Sequence, residues 1–338
     1  MFRHFHLRTR VLHFTGIRRF SMKTMLIKDN DAGQRLDKFL AKAIPALPKA
    51  LMHKYIRTKR IKLDGKRCDA GSKLVAGSEL SLYIPDEFFS HRPLPFLAAP
   101  AELSVVYEDE NLLLADKPPG LVVHEDQGGS ADTLIGRIQH YLYQKGEYDP
   151  AREQSFAPAL CNRIDRNTGG IVIAAKNFPT LTVLNQKIKD REISKLYLCL
   201  VHGTLRVPRN TLKGYHVKDA VTNMVRIHKE PVPGAKTALT KYRVLAARDN
   251  TSLVEVELLT GRTHQIRAHM ASIGHPLVGD TKYGMNRMNK DGPRYQALYS
   301  YKITFCFKTD AQHLYYLHGK SFQVSQVPFA DSFGKPWK

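Results

Sequence analysis

Two stretches near the start of the chain have apolar residues at helical spacing. The first predicted helix ends near Pro45, and its apolar positions fall at i, i+3, i+4 and i+7. Pro48 is well placed at the first position of the second helix. The apolar residues are Leu36, Phe39, Leu40 and Ala43 in the first helix, and Leu51, Met52, Tyr55 and Ile56 in the second. Residues 61–84, with a turn at Asp64-Gly65, then predict a small hairpin-rich sheet.

A proline-rich stretch, residues 86–102, follows and predicts an extended linker. Beyond it, short apolar runs bounded by turn residues predict strands, and two longer segments predict helices. The predicted strands are 103–107, 112–115, 121–124, 171–175, 194–201, 254–259, 301–307 and 314–324, and the predicted helices are 134–145 and 181–191. Residues 204–236 are basic and loop-like, and both an RNA-facing insertion and a mobile hairpin fit that pattern.

One more short helix is expected between Thr263, a plausible N-cap, and Gly274. Its core face consists of Ile266, Met270 and Ile273. Arg267 lies next to that face, at the core boundary, where a guanidinium group needs an anion. The alternative is a surface arginine over the helix end.

The net charge of the chain indicates what kind of partner it binds. The 338-residue chain has a formal net charge of +21 and a pI of about 9.8, which indicates a polyanionic partner, most simply nucleic acid. Residues 1–85 contain 19 Lys and Arg against 6 Asp and Glu, whereas the other 253 residues contain 33 against 25. The first quarter of the chain therefore carries most of the excess charge, which predicts a dedicated binding module.

A basic stripe within that module is the candidate RNA contact. Lys49, His53 and Arg57 are spaced i, i+4 and i+8 on the second predicted helix, opposite its apolar side, and Arg60 follows just beyond. A solvated charged helix face is the alternative interpretation. The helical spacing, together with the resemblance of this segment to a small RNA-binding domain described below, favours RNA contact, mainly to phosphates, which would position the RNA without reading its sequence.

The sequence offers little for other classes of function. The four cysteines are far apart and the histidines do not cluster, which argues against disulfides and a metal site and favours a reducing compartment. No apolar run approaches the ~20 residues that span a bilayer, and nucleotide phosphate-binding loops are missing. We therefore expect a cytoplasmic bacterial monomer that uses no metal or cofactor and does not enter membranes.

Residues 1–22 form a basic extension that we exclude from the fold. The first 21 residues contain five Arg, three His and no acidic residue, a composition reminiscent of an organellar transit peptide. An upstream extension of the reading frame is the alternative, because Met22-Lys23-Thr24-Met25 looks like a bacterial start. We favour the extension and expect these residues to be disordered or not native.

Asp165 carries the candidate chemistry. It lies in a polar turn that leads into the buried strand 171–175, and Arg163 and Arg166 flank it. An aspartate beside Asn, Thr and Gly often caps a turn through backbone amides. It can also be a nucleophile or base held in a basic pocket. The local sequence leaves both interpretations open.

Residues 162–170, Asn-Arg-Ile-Asp-Arg-Asn-Thr-Gly-Gly, closely resemble the central motif of the RluA-type pseudouridine synthases: His-Arg-Leu-Asp, two variable residues, then Thr-Ser-Gly. Asn162, Ile164 and Gly169 depart from that motif. Residues 117–120 resemble the family's Lys-Pro-x-Gly segment, and residues 258–284 resemble its third motif. Residues 33–85 resemble a small RNA-binding domain shared with a ribosomal small-subunit protein and with Tyr-tRNA synthetase.

The resemblance implies an α+β fold. A mixed, mostly antiparallel central sheet flanked by helices would occupy residues 103–326, after a small α/β RNA-binding domain at 33–85 and before a tail at 327–338. It implies that Asp165 is the catalytic aspartate, that Tyr197 lies against the target base and that Arg267 pairs with the aspartate. The residues expected to bind RNA are Arg163, Lys49, His53, Arg57, Arg60, Arg262 and His264.

The implied function is conversion of specific uridines to pseudouridine in structured RNA. Large-subunit ribosomal RNA is favoured as the substrate, with tRNA as the alternative, and the target nucleotide would be flipped out at a cost of a few kcal/mol. Two other classes stay open on sequence alone. The first is a catalytically silent RNA-binding ribosome-assembly factor. The second is a glycosidic-bond hydrolase, which would ordinarily need two carboxylates.

Overall fold

The computed structural model describes residues 20–89, 94–125, 129–284, 293–334 and 336–337. The chain separates into two compact units, with the boundary between Pro93 and Leu94. None of the helices in these ranges is long and apolar enough to cross a bilayer.

The N-terminal unit contains the two predicted helices packed on a sheet. The helices are α1 (Leu36–Ala43) and α2 (Lys49–Arg57), and the strands are β1 (Phe20–Leu26), β2 (Ile61–Leu63), β3 (Lys66–Arg67) and β4 (Glu79–Pro85). The strands pair antiparallel in the order β1-β4-β2-β3. Asp64 and Gly65 join β2 to β3 with positive φ angles of 50° and 70°, as a tight hairpin turn requires.

The expected boundary of the N-terminal extension is wrong at its last three residues. Residues 20–22 belong to β1, which pairs with β4 from Phe20 opposite Pro85 to Leu26 opposite Glu79. This unit therefore includes a strand that precedes residue 33. Residues 1–19 lie outside the described residues, so the transit-peptide and start-site hypotheses stay predictions.

The C-terminal unit is built on one large sheet. Over the described residues it has eleven strands, in the order β11-β10-β12-β13-β9-β14-β8-β6-β5, with β15 beside β14 and β7 beside β8. The strands are β5 (Val105–Glu108), β6 (Leu112–Lys117), β7 (Ala159–Leu160), β8 (Gly169–Ala175), β9 (Ile193–His202), β10 (Arg209–Lys218), β11 (Val225–His228), β12 (Lys236–Arg248), β13 (Thr251–Leu258), β14 (Leu298–Phe305) and β15 (Ser321–Gln323). Only β8 and β14 pair in parallel among them, so the expected mixed, mostly antiparallel α+β fold is confirmed.

Helices cover both faces of this sheet because its central strands are apolar on both sides. The helices are α3 (Leu134–Gln144), α4 (Phe178–Lys189), α5 (Gln265–Ser272) and α6 (Pro328–Asp331). Along β8, Val172 and Ala174 pack in the cluster that includes α3 and α5, whereas Ile171 and Ile173 pack in the cluster that includes α4 and α6. Because successive side chains of a strand point to opposite faces of the sheet, the core is divided into two layers.

Both ends of the expected catalytic region are wrong. Phe96, assigned to the linker, is 5% exposed, and its ring centroid lies 5.7 Å from those of Tyr143 and Tyr148. Trp337, assigned to the tail, is 5% exposed and packs edge-on against Tyr301. These aromatic residues are isolated in sequence, so no periodic pattern indicated that they belong to the core.

Of three further expectations of local structure, one is confirmed in part and two are wrong. Residues 204–236 contain a hairpin of β10 and β11, which was one of the two alternatives, although the segment is not loop-like. Its apolar period is weak because basic side chains occupy its exposed positions. Residues 314–324 contain a 3-10 helix (Gln312–Leu317) and the short β15 in place of one strand. Residues 121–124 form no strand, and only Val122 makes an isolated bridge, to Thr133.

Candidate active site

A cleft of about 1480 Å³ opens beside the middle of the large sheet, where β9 carries Tyr197 to its floor. Residues from the 162–168 turn, β9, β10, α5 and the segment after α5 line it. Seven arginine and lysine residues and only two carboxylates are among the described residues of its lining. The cations are Arg163, Arg166, Lys195, Lys218, Arg262, Arg267 and Lys282, and the carboxylates are Glu125 and Asp165. Such a cleft attracts polyanions.

A short turn places Asp165 at the lip of β8. The amide of Thr168 donates to the Asp165 carbonyl oxygen at 3.1 Å, which closes the turn, and the Asp165 side chain stays 30% exposed in the cleft. Gly170 has a φ of 110°, and a β-carbon there would lie 2.2 Å from the carbonyl oxygen of Ser300. The turn therefore enters β8 along a path that requires glycine.

Buried Lys117 ties this turn to the end of β6. Its Nζ donates to the carbonyl oxygens of Pro118, Leu121 and Arg166 at 2.8–2.9 Å. Burial lowers the pKa of Lys117 to about 7. The amide of Gly120 also donates to the Arg166 carbonyl oxygen. Lys117 thus frames the backbone next to Asp165 and does not face solvent.

Arg267 pairs with two carboxylates. Its Nε and Nη2 donate to the two oxygens of Asp280 at 2.7 and 2.9 Å, and its Nη1 donates to Asp165 Oδ2 at 3.3 Å. Asp280 is fully buried and also accepts the backbone amides of Lys282 and Tyr283. The Arg267 guanidinium and these amides hold the pKa of Asp280 below its ordinary value, against the effect of burial. The expected pairing of Arg267 with Asp165 is present in this geometry.

His264 flanks Asp165 on another side. It is the N-cap residue of α5, where Thr263 was predicted, and it makes no side-chain cap. Its φ of 52° is in the left-handed region, which is uncommon for a residue other than glycine. Its Nε2 lies 3.8 Å from Asp165 Oδ2, and its Nδ1 lies 2.9 Å from the hydroxyl of Tyr283.

Tyr197 lies in the cleft with its side chain almost covered. It is 6% exposed, on the strand between β13 and β14. Burial raises the pKa of Tyr197 to about 12, so its phenol is protonated at neutral pH. A protonated, covered ring is suited to packing against a planar group and is a weak base.

The residues expected to bind RNA fall into two sets, one in each unit. Arg163 is exposed at the cleft, and the half-buried Arg262 donates from Nε to the Thr237 carbonyl oxygen at 3.3 Å. His264 lies in the same cleft. The other set, on or just after α2, is exposed along one side of the N-terminal unit: Lys49, His53, Arg57 and Arg60.

Sequence reasoning missed Asp280, Tyr283 and the four other cations of the cleft. Asp280 and Tyr283 were part of a quoted motif, but their roles depend on the turn after α5, which folds back onto Arg267. The sequence carried no signal for these roles beyond the presence of Asp280 in that motif. Lys218 was noted only as one of several basic residues in a loop.

No group of three or more His, Cys, Asp or Glu in the described part of the chain could hold a metal ion. The four cysteines are free thiols.

Comparison with known proteins identifies the class. The family model for RNA pseudouridylate synthase matches residues 111–272, which include both Asp165 and Arg267. Ribosomal large subunit pseudouridine synthase D of Escherichia coli strain K12 is 33% identical over 267 residues, which cover 77% of this chain and 76% of that protein. Ribosomal large subunit pseudouridine synthase C of Vibrio cholerae is 30% identical over 304 residues, covering 88% and 90%. The chain belongs to the RluA-type family of RNA pseudouridine synthases.

Solved structures agree on the fold. Human RNA pseudouridylate synthase domain containing 1 has a TM-score of 0.51 at 22% identity, covering 73% of this chain and 98% of its own. Human RNA pseudouridylate synthase domain containing 4 has a TM-score of 0.52 at 17% identity, covering 67% and 89%. The family model and the sequence relatives, rather than these structures, make the chain an RNA pseudouridine synthase.

Proposed function

We propose that the Asp165 carboxylate carries out the isomerisation of uridine to pseudouridine in the cleft of the C-terminal unit. The observation that carries this proposal is a solvent-accessible carboxylate paired with a buried guanidinium at 3.3 Å, inside a cationic cleft. The Arg267 guanidinium supplies positive charge beside Asp165, and a carboxylate can act as a nucleophile or a base.

The reaction balances without an external reactant. The bond between C1′ of the ribose and N1 of uracil breaks, the ring turns, and a bond forms between C1′ and C5. C5 loses its proton and N1 gains one, so the product is an isomer. Asp165 serves this exchange by attack on the sugar or base, or by removal of a sugar proton, and the ring must stay bound between the two bonding steps.

The remaining cleft residues hold the nucleotide. Tyr197 packs against the flipped base with its phenol protonated. Arg163, exposed beside Asp165, fills the space left in the RNA or binds a phosphate. Arg262 adds a guanidinium whose Nε is anchored on the Thr237 carbonyl oxygen. The cost of extruding the base, a few kcal/mol, is met by these contacts.

We further propose large-subunit ribosomal RNA as the substrate and a monomer as the active form. Support for the substrate comes from the names of the bacterial relatives and from the exposed basic stripe on α2. Lys49, His53, Arg57 and Arg60 contact RNA phosphates and add affinity without base reading. Transfer RNA is the alternative substrate.

The test uses uridine-labelled transcripts of large-subunit rRNA, of tRNA and of an unstructured RNA. After incubation with the purified chain, nuclease digestion and chromatography separate uridine, pseudouridine and free uracil. We expect pseudouridine at few positions in the rRNA and none in the unstructured RNA. Modification confined to tRNA would overturn the proposed substrate, and released uracil or unchanged uridine in every RNA would overturn the proposed chemistry.

A further inference from the structure

Tyr283 contacts both groups that flank Asp165, although the proposed mechanism gives it no role. Its hydroxyl oxygen lies 2.9 Å from His264 Nδ1 and accepts the amide N–H of Val225, the first residue of β11, at 3.0 Å. Its ring centroid is 5.1 Å from the guanidinium carbon of Arg267 and meets the His264 ring edge-to-face at 5.7 Å. One side chain thus touches the cation and the imidazole beside the carboxylate.

The charge on Asp165 selects one form of the His264 ring. A neutral imidazole has a proton on one nitrogen and a lone pair on the other. Burial lowers the pKa of His264, which keeps the ring neutral, while the Asp165 carboxylate acts in the opposite direction. A lone pair on Nε2 would face a carboxylate oxygen 3.8 Å away and be repelled, so the proton belongs on Nε2.

The hydroxyl of Tyr283 meets the requirement of that tautomer. With the proton on Nε2, His264 Nδ1 needs a donor. The Tyr283 oxygen already accepts from Val225, so its own proton is available for Nδ1. Burial raises the pKa of Tyr283, which keeps that proton in place. A directed chain of hydrogen bonds therefore leads from the β11 backbone through Tyr283 to His264.

We propose that Tyr283 is a positioning residue whose hydroxyl proton fixes His264 as the Nε2–H tautomer, so that a neutral N–H donor faces the Asp165 carboxylate. This inference rests on the role proposed for Asp165. Arg267 and His264 then have different roles beside Asp165. Arg267 supplies positive charge, and His264 orients the carboxylate without adding charge. The strained φ of His264 is the backbone geometry that aims the ring into the cleft.

The tautomer can be measured without any reaction. We expect ¹⁵N NMR of the imidazole nitrogens, assigned with a His264→Gln variant, to show a protonated Nε2 and an unprotonated, hydrogen-bonded Nδ1 in the free wild-type protein. In Tyr283→Phe the two tautomers should become mixed. A protonated Nδ1 in the wild type, or the same pure Nε2–H form in Tyr283→Phe, would overturn the inference.

Kinetics then separate positioning from binding. In Tyr283→Phe the single-turnover rate should fall about 10-fold, as for loss of other residues that orient a reacting group, with the RNA Kd within about twofold of wild type. The matched control is Tyr316→Phe, because the Tyr316 hydroxyl donates to Asp109 at 2.6 Å outside the cleft. That control should keep the full rate.

If Tyr283→Phe folds poorly, the tautomer measured in the wild-type protein still tests the proposal; if it folds, a double-mutant cycle gives a further test. The side-chain amide in His264→Gln donates without tautomers, so adding Tyr283→Phe to that variant should cause no further loss of rate. Equal extra loss in both backgrounds would contradict the inference. If Tyr283→Phe is fully active and Asp165→Asn is inactive, only this inference is contradicted. If Asp165→Asn is active, the proposed function is contradicted.

Discussion

Helices α2 and α5 are almost equal in length, nine and eight residues, and both carry cations, yet they use them in opposite ways. On α2, Lys49, His53 and Arg57 are exposed, so the charges of Lys49 and Arg57 are well solvated. On α5, six consecutive residues are buried, and three of them are polar: Gln265, Arg267 and His269.

Burial is what separates the two helices. A buried polar group must be hydrogen-bonded, and each of the three on α5 has a fixed partner. Gln265 donates to the Leu239 carbonyl oxygen, Arg267 donates to two aspartates, and His269 Nδ1 lies 2.6 Å from the Thr240 hydroxyl. Exposed charge is suited to adjustable attraction for RNA, and buried charge is suited to fixed geometry.

The largest expected effect follows removal of the buried charge. Arg267→Met should lower the single-turnover rate by about 10³-fold, because a carboxylate loses a preorganised cation in a partly buried site. The RNA Kd should stay within about threefold, since six other cations line the cleft. Arg243→Met is the matched control, because Arg243 pairs with Glu255 outside that cleft. An unchanged rate in Arg267→Met would show that the pair is not catalytic.

A smaller loss should follow removal of the second carboxylate. Asp280→Asn keeps the shape but leaves Arg267 without its bidentate anion, so the guanidinium can reorient. We expect the rate to fall about 10–100-fold, typical of residues that orient a catalytic group, with little change in RNA affinity. Glu255→Gln, which weakens the exposed pair with Arg243, should leave the rate unaltered. Equal losses in the two variants would point to a general effect on folding.

The exposed stripe should show the reverse pattern. Lys49→Gln, His53→Gln and Arg57→Gln combined should weaken RNA binding about 10-fold and reduce the slope of log Kd against log salt by about 2, because two permanent charges are lost. The rate at saturating RNA should not change. Lys189→Gln with Lys308→Gln removes the same permanent charge from exposed positions of the other unit. If that control weakened binding equally, α2 would have no special role.

The smallest effect concerns stability. Burial lowers the pKa of His269 to about 4, whereas an unfolded histidine titrates near 6.5. As the pH falls below 6.5, His269 binds a proton in the unfolded chain but not in the folded chain. The free energy of unfolding therefore decreases. Between pH 7 and 5.5 the loss is about 1.2 kcal/mol, or about eightfold in the folding equilibrium.

His269→Asn should remove that part of the pH dependence while its amide keeps a bond to Thr240. The chain has a single tryptophan, Trp337, buried in the C-terminal unit, so its fluorescence in urea titrations follows the unit that contains α5. Identical pH slopes for the variant and the wild type would contradict the assignment.

Periodic patterns predicted the regular elements well. The spacing of Leu36, Phe39 and Leu40 predicted α1, and all three are fully buried. The apolar run after residue 170 predicted the double-sided strand β8. The charged residues at the core boundary were also informative, because Arg267 needed an anion and has two.

Contacts set by single residues or by distant turns could not be predicted. Asp280 lies 13 residues after Arg267, on a turn whose path the sequence does not specify. Phe96 and Trp337 join the core alone, without periodic neighbours. Strand β10 buries only Gly214 and His216, and Leu212 packs partly against the core, so its apolar signal is weak.

The central claim is that the Asp165 carboxylate performs the bond exchange, and one measurement tests it most directly. Single-turnover conversion of labelled RNA by Asp165→Asn should fall by about 10⁴-fold or more, with unchanged RNA Kd, because the amide keeps the shape and loses the charge. Asp249→Asn, at an exposed position outside the cleft, should convert RNA at the wild-type rate. Pseudouridine formed by Asp165→Asn at a rate near wild type would contradict the account.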